Sequence, residues 1–139
     1  MRARLVLDAG AFDVLDTSAG TGLRAVMRRA STREWDVCCA AVTLAEVCRG
    51  RARTRRVEAA LARDRGGRRI RVISTDEQLA KLVGAIMDDT HSGSDMLADA
   101  HVVAVCAGAD HAVVVTVDPH DIVRLATALR GVRIVTRSP

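Results

Sequence analysis

Five short runs of Val, Leu, Ile, Ala and Cys, spaced along the chain with helical segments between them, constrain the fold most. The runs are Ala3–Leu7, Asp36–Ala41, Ile70–Ile73, Ala112–Val115 and Val132–Val135. Each is too short for a helix and nearly free of polar alternation, which suits strands buried on both faces. The segments between them carry apolar residues at helical spacing. Leu23, Val26, Met27 and Ala30 share one face, and Leu79, Leu82, Val83 and Ile86 another. Strand and helix alternate throughout, so the expected fold is a three-layer α/β/α domain with a mostly parallel central sheet.

Boundaries follow from local chemistry. Gly10 suits a tight turn after the first strand, with a short helix over Ala11–Asp16. Ser18 is a candidate N-cap for a helix reaching about Arg33. Thr43 and Glu46 have capping-box spacing, in a helix that passes Cys48 and stops near Gly50. A basic amphipathic helix over Arg51–Arg65 ends at Gly66-Gly67. Thr75 can cap a helix from Asp76 to about Asp89, and His91–Ser94 is a loop. Further helices are expected over Asp95–Ala107 and Asp121–Leu129, with a frayed tail at Arg137-Ser138-Pro139.

The 139 residues suit one domain with one sizeable core, built almost without aromatics: one Phe, one Trp and no Tyr. Phe12 and Trp35 read most simply as core or interface residues. No apolar run reaches the ~20 residues of a membrane span. Leu5-Val6-Leu7 is too short for a signal-peptide core, so a cytosolic protein is expected. Cys38, Cys39, Cys48 and Cys106 lack paired zinc-site spacing and read as reduced thiols. The net charge is +4, and Lys81 is the only Lys among the basic residues. A GC-rich genome explains that bias, although Arg also forms the better forked phosphate contact.

The acidic residues carry the functional signal. Asp8 follows the first strand directly, and Asp118 lies just past the fourth. Ligands of open parallel sheets bind beyond the carboxyl ends of the strands, so both acids should project over one edge. Glu46 sits early in the helix after the second strand and can reach the same edge. Asp95 and Asp99 share a helical face, and Asp121 is one turn from Asp118. Alone, Asp8, Glu46 and Asp121 read equally as turn, cap or first-turn residues, and Asp95 reads better as a helix-terminus charge than as a ligand. Asp99 resists that reading, because its neighbours in Met96–Val105 are Ala- and Val-rich. Gathered carboxylates repel one another and need a counter-charge. All-oxygen ligation favours Mg²⁺ or Mn²⁺, and such a site can hydrolyse phosphodiesters.

Four segments, taken in order, resemble the PIN domains of VapC-type toxins. They are Leu5-Val6-Leu7-Asp8-Ala9-Gly10-Ala11, Thr43-Leu44-Ala45-Glu46-Val47-Cys48-Arg49-Gly50, Asp99-Ala100-His101-Val102-Val103-Ala104 and Thr116-Val117-Asp118-Pro119-His120-Asp121-Ile122. The resemblance covers nearly the whole chain as one PIN domain over residues 1–139. It implies a PIN-like fold, Mg²⁺ or Mn²⁺ dependence and endonucleolytic RNA cleavage. It gives the acid roles to Asp8, Glu46, Asp99 and Asp118, with Asp8, Asp99 and Asp118 on the metal. Asp121, Asp95 and Thr116 would be accessory. It also implies a homodimer and a cognate VapB-like antitoxin whose tail lies in a groove beside the site.

Arg49, Arg51 and Arg53 follow Glu46 and could form a basic rim for RNA, although a solvated helix face is the favoured reading. His101 and His120 lie beside the acids and read mainly as packing residues. Two other classes stay open: a catalytically silent PIN-like module that binds RNA or protein, and a phosphoacceptor receiver domain. The receiver reading lacks its Lys after a strand, since Lys81 sits in an amphipathic helix. A dinucleotide-binding domain is disfavoured, because no GxGxxG follows the first strand.

Overall fold

The computed structural model describes residues 1–139. Its elements run β1 (Ala3–Leu7), α1 (Ala9–Val14), α2 (Thr21–Thr32), β2 (Asp36–Ala40), α3 (Ala41–Val47), α4 (Arg51–Ala62), β3 (Arg71–Ile73), α5 (Glu77–Asp89), α6 (Leu97–Ala104), β4 (His111–Val115), α7 (Pro119–Ala126) and β5 (Arg133–Arg137). Short 3-10 turns over Ser18–Gly20 and Ser94–Met96 precede α2 and α6. The strands form one sheet in the order β3-β2-β1-β4-β5, and every pairing is parallel. This is the expected three-layer α/β/α fold. A receiver domain instead orders its strands 2-1-3-4-5, so the topology overturns that alternative.

Helices cover both faces, which is why the strands read as unbroken apolar runs. Leu5 and Leu7 of β1 face a cluster with Phe12, Leu23, Met27 and Val57 from α1, α2 and α4. Val6 between them faces the other cluster, with Val83, Ile86, Val102, Val103, Ile122 and Leu125 from α5, α6 and α7. The core is aliphatic, as the composition requires. Cys38, Cys39 and Cys106 are buried free thiols, and burial pushes each up to about 12. No helix is long and apolar enough to cross a membrane.

Several expected boundaries are corrected. The first helix starts at Ala9, because the Asp8 carboxylate caps it by accepting from the Ala9 N–H at 2.8 Å. Gly10 has no left-handed backbone there. Its missing side chain matters because a Cβ would lie 2.7 Å from Val117 Cγ1. Ser18 caps nothing, since it opens the 3-10 turn before α2. Thr43 is not a cap either: β2 passes straight into α3 at Ala40, leaving Thr43 buried inside the helix. Asp76, not Thr75, caps α5 through the Leu79 N–H at 2.8 Å. The Asp95–Ala107 helix divides into the 3-10 turn and α6, and α7 starts at Pro119. Arg137 is not frayed, as it pairs with Val115 at the end of β5.

Candidate active site

The strand order reverses direction between β1 and β4. From β1 the chain builds outward to β2 and β3, then returns to place β4 on the other side of β1. Such a switch point opens a crevice at the carboxyl ends of the two strands. Asp8 leaves β1 there, and Thr116 leaves β4 beside it. The two are tied: Thr116 Oγ1 donates to Asp8 Oδ2 at 2.8 Å in a buried contact. The same hydroxyl accepts from the Asp118 N–H at 3.0 Å. The Asp8 N–H in turn donates to the Val115 carbonyl at 3.0 Å. Asp8 is buried, with one carboxylate oxygen on the helix cap and the other on Thr116. The cap reading of Asp8 therefore holds for one oxygen, while the other is held by Thr116.

Glu46 comes from α3, which leaves the end of β2 without a linker. Its Oε1 is buried with no hydrogen-bond partner. Burial pushes the Glu46 carboxyl above its usual range, and Asp8 and Asp118 add to the rise while Arg49 opposes it. Asp99 lies in the first turn of α6, half-buried. Its carboxyl is pushed up to about 6, first by burial, then by the negative charges of Asp8, Asp118, Asp121 and Glu46. Four acids from other elements thus act on Asp99 at close enough range to raise it. The structure brings Asp8, Glu46, Asp99, Asp118 and Asp121 to one sheet edge.

Asp95 stands apart. It is exposed on the 3-10 turn and is not among the groups that raise Asp99. His101 is buried, with Nδ1 2.7 Å from the Leu97 carbonyl, and serves the packing of α6. His120 is exposed. Of the Arg residues after Glu46, Arg49 and Arg51 are exposed, while Arg53 is bound to Asp13 at 2.7 Å. Sequence reasoning missed Thr43. Its buried hydroxyl is also unpartnered, three residues before Glu46 on α3. Reading Thr43 as a cap concealed this.

The donor set can be tested against a divalent cation. All of its atoms are hard oxygens, Glu46 Oε1 lacks any partner, and the charges on Asp99 are uncompensated. Those features fit Mg²⁺ or Mn²⁺. As they stand, no three His, Cys, Asp or Glu side chains are gathered into a group that could hold a metal ion.

No protein-family model matches the sequence, and no curated protein is similar to it. Solved structures do match. A chain in the crystal structure of VapBC2 from Rickettsia felis, bound to a DNA fragment from their promoter, superposes with a TM-score of 0.67 at 11% identity. That match covers 97% of this chain and 99% of that one. A chain of the DNA-bound VapBC from Salmonella typhimurium gives a TM-score of 0.65 at 21% identity, with 98% of each chain covered. At these identities the likeness defines the fold. The fold is PIN-like, in agreement with the resemblance carried by the four acidic segments.

Proposed function

We propose that this chain is a Mg²⁺- or Mn²⁺-dependent endoribonuclease toxin of the VapC kind, acting in the cytoplasm and held in check by a VapB-like antitoxin. One observation carries the reading: Asp99 lies in the combined field of Asp8, Asp118, Asp121 and Glu46 at the switch point of the sheet. A carboxylate cluster in that place would be unfavourable without a cation to serve. The VapBC structures support the toxin and antitoxin assignment through the fold. A homodimer belongs to the same reading.

Asp8, Asp99 and Asp118 would hold the cation, with Asp121 as an accessory and Asp95 as an outer acid. When bound, the ion would supply charge neutralisation at a scissile phosphate and lower the pKa of a water, so that its hydroxide form is available to attack. The chain's own residues set the geometry. Thr116 and the N-terminus of α1 fix both oxygens of Asp8, so its carboxylate does not rotate freely. Glu46, raised by burial, is suited to accept a proton from the attacking water. Arg49 and Arg51 make no ion pair and could meet flanking phosphates, whereas Arg53 must first leave Asp13.

The test is cleavage of total RNA by purified protein with Mn²⁺ and then with chelator. Cleavage that needs Mn²⁺ and is lost in Asp8→Asn supports the proposal. Full activity in that variant refutes the assignment. The solved neighbours, at 11% and 21% identity, carry the fold and not the chemistry, which leaves a second reading, a silent PIN-like module that binds RNA or protein. Calorimetric titration with Mn²⁺ separates the two, because a silent module takes up no ion at this edge.

A further inference from the structure

A second feature lies on the sheet face rather than its edge. On the face lined by Leu5 and Leu7, β5 has no helix above it and contributes nothing to the core cluster. A cavity of about 310 Å³ opens there, floored by Leu5 and Val113 and rimmed by Arg29, Arg33 and Arg137, with Trp35 in its wall. That volume is at the small end for ligand pockets, about right for one nucleotide-sized group. Arg29, Arg33 and Arg137 are exposed, and none makes an ion pair. Of the two acids flanking Trp35, one is paired and the other is not. Asp36 is taken by Arg4 and Arg71, and Glu34 is exposed on the neighbouring turn.

Trp35 is held in position. Its backbone N–H donates to the Ala30 carbonyl at 2.8 Å, and His111 meets its ring edge-on at 5.5 Å between centroids. The cavity reaches the acidic edge at one end, through Arg137, while Trp35 lies at the other, beside the strand starts. Arg137 pairs with Val115, and its carbonyl accepts from the Thr116 N–H at 2.9 Å. Thr116 is the residue that holds Asp8. A chain leaving the acidic edge over Arg137 would cross the rim and reach the indole.

We propose that this cavity is a subsite for single-stranded RNA, with a base stacked on Trp35 and the backbone phosphates on Arg29, Arg33 and Arg137. The proposal rests on the nuclease reading for the identity of the strand. An indole bordered by unpaired guanidiniums is the pairing that single-stranded nucleic acid uses, stacking and phosphate contact together. A second copy of this chain fits poorly, because it would set three unpaired Arg residues against three more.

The sole Trp provides the probe, since its emission reports on this cavity alone. Intact protein is titrated with a short oligouridylate in chelator, so that nothing is cleaved, while anisotropy of a labelled oligomer records binding. Saturable quenching of Trp35 is expected. Arg29→Gln and Arg137→Gln should each weaken binding about threefold to tenfold and flatten the log–log salt slope by about 0.7. An abasic oligomer should bind without quenching. Trp35→Phe should keep binding within about threefold, and Trp35→Leu should weaken it about tenfold or more. Binding with unchanged emission, or wild-type affinity in both Arg variants, overturns the proposal. Equal quenching by polyglutamate overturns it in favour of an acidic protein partner. Cleavage with Mn²⁺ is read separately: quenching without cleavage removes only the nuclease reading, and cleavage without quenching removes only this subsite.

Discussion

Replacing Asp99 by Asn should make the metal-free protein more stable, and only at neutral to alkaline pH. The Asp99 carboxyl is raised from an ordinary 3.8 to about 6, and no hydrogen bond is among the causes. The folded state therefore holds a proton more tightly than the unfolded chain does. Between those two values the native protein carries the extra proton, so stability falls as pH rises through the window. Above it, the ionised form bears the whole penalty. A shift of that size corresponds to about 3 kcal/mol for a sealed group. Asp99 is only half-buried, and solvent screening reduces the figure to about 1 kcal/mol. Asn has nearly the same shape and no charge, so the variant escapes the penalty. For a chain of this length its Tm should rise by about 3 °C near about pH 8 and change little near about pH 4. Calorimetric melts of both proteins in chelator, at both pH values, provide the comparison. Adding Mn²⁺ should then raise the wild-type Tm more than that of the variant. An Asn variant that gains nothing at the higher pH relative to the lower would refute the claim that acids crowd this residue.

Other expectations follow from single contacts. Thr116→Val removes the donor to Asp8 and the acceptor for the Asp118 N–H; RNA cleavage should fall about tenfold or more, with partial recovery in Thr116→Ser. Gly20→Ala would place a Cβ 2.1 Å from the Val14 carbonyl oxygen, so urea melts should show a loss of about 2–4 kcal/mol. Arg4→Met removes donors to the Val105 and Ala107 carbonyls, each at 2.7 Å, and the pair with Asp36; the same melts should show about 2 kcal/mol lost. Alkylation of the native protein at neutral pH, followed by peptide mapping, should modify Cys48 first. The other three thiols are buried and held at about 12.

The sequence made the strands legible because both of their faces are buried, leaving no ambiguity of face to resolve. It made the acidic edge legible for a related reason. Asp8 and Asp118 each follow an apolar run, and parallel strands end on the same side. The helix starts were harder. A cap is read from a polar residue before an apolar stripe, but β2 enters α3 at Ala40 with no room for one. Thr43 matched the pattern and lies inside the helix. Ser18 failed because a 3-10 turn over Ser18–Gly20 comes first, so Gly20 and not Ser18 stands at the start of α2. The cavity at Trp35 was hidden for a different reason. Arg29 and Arg137 come from distant parts of the chain, and only the register of β5 on β4 sets them on one face.

The charges also separate the bias of composition from the work of the fold. A genome that favours Arg over Lys explains the identity of the basic residues, but not where their charge is left unspent. Arg4 and Arg71 hold Asp36, Arg53 holds Asp13, and Arg63 and Arg65 hold Asp16. These guanidiniums fasten the strand starts and the ends of α1 and α4, and they are unavailable to a polyanion without breaking a contact. Arg29, Arg33 and Arg137 are unpaired on one face, beside the only indole. The acids at the sheet edge repel the same polyanion that this face attracts. A strand can lie across both only when a cation neutralises the edge. On the proposed function, attraction on the face and discrimination at the edge would fall to different side chains, joined through Arg137 and Thr116.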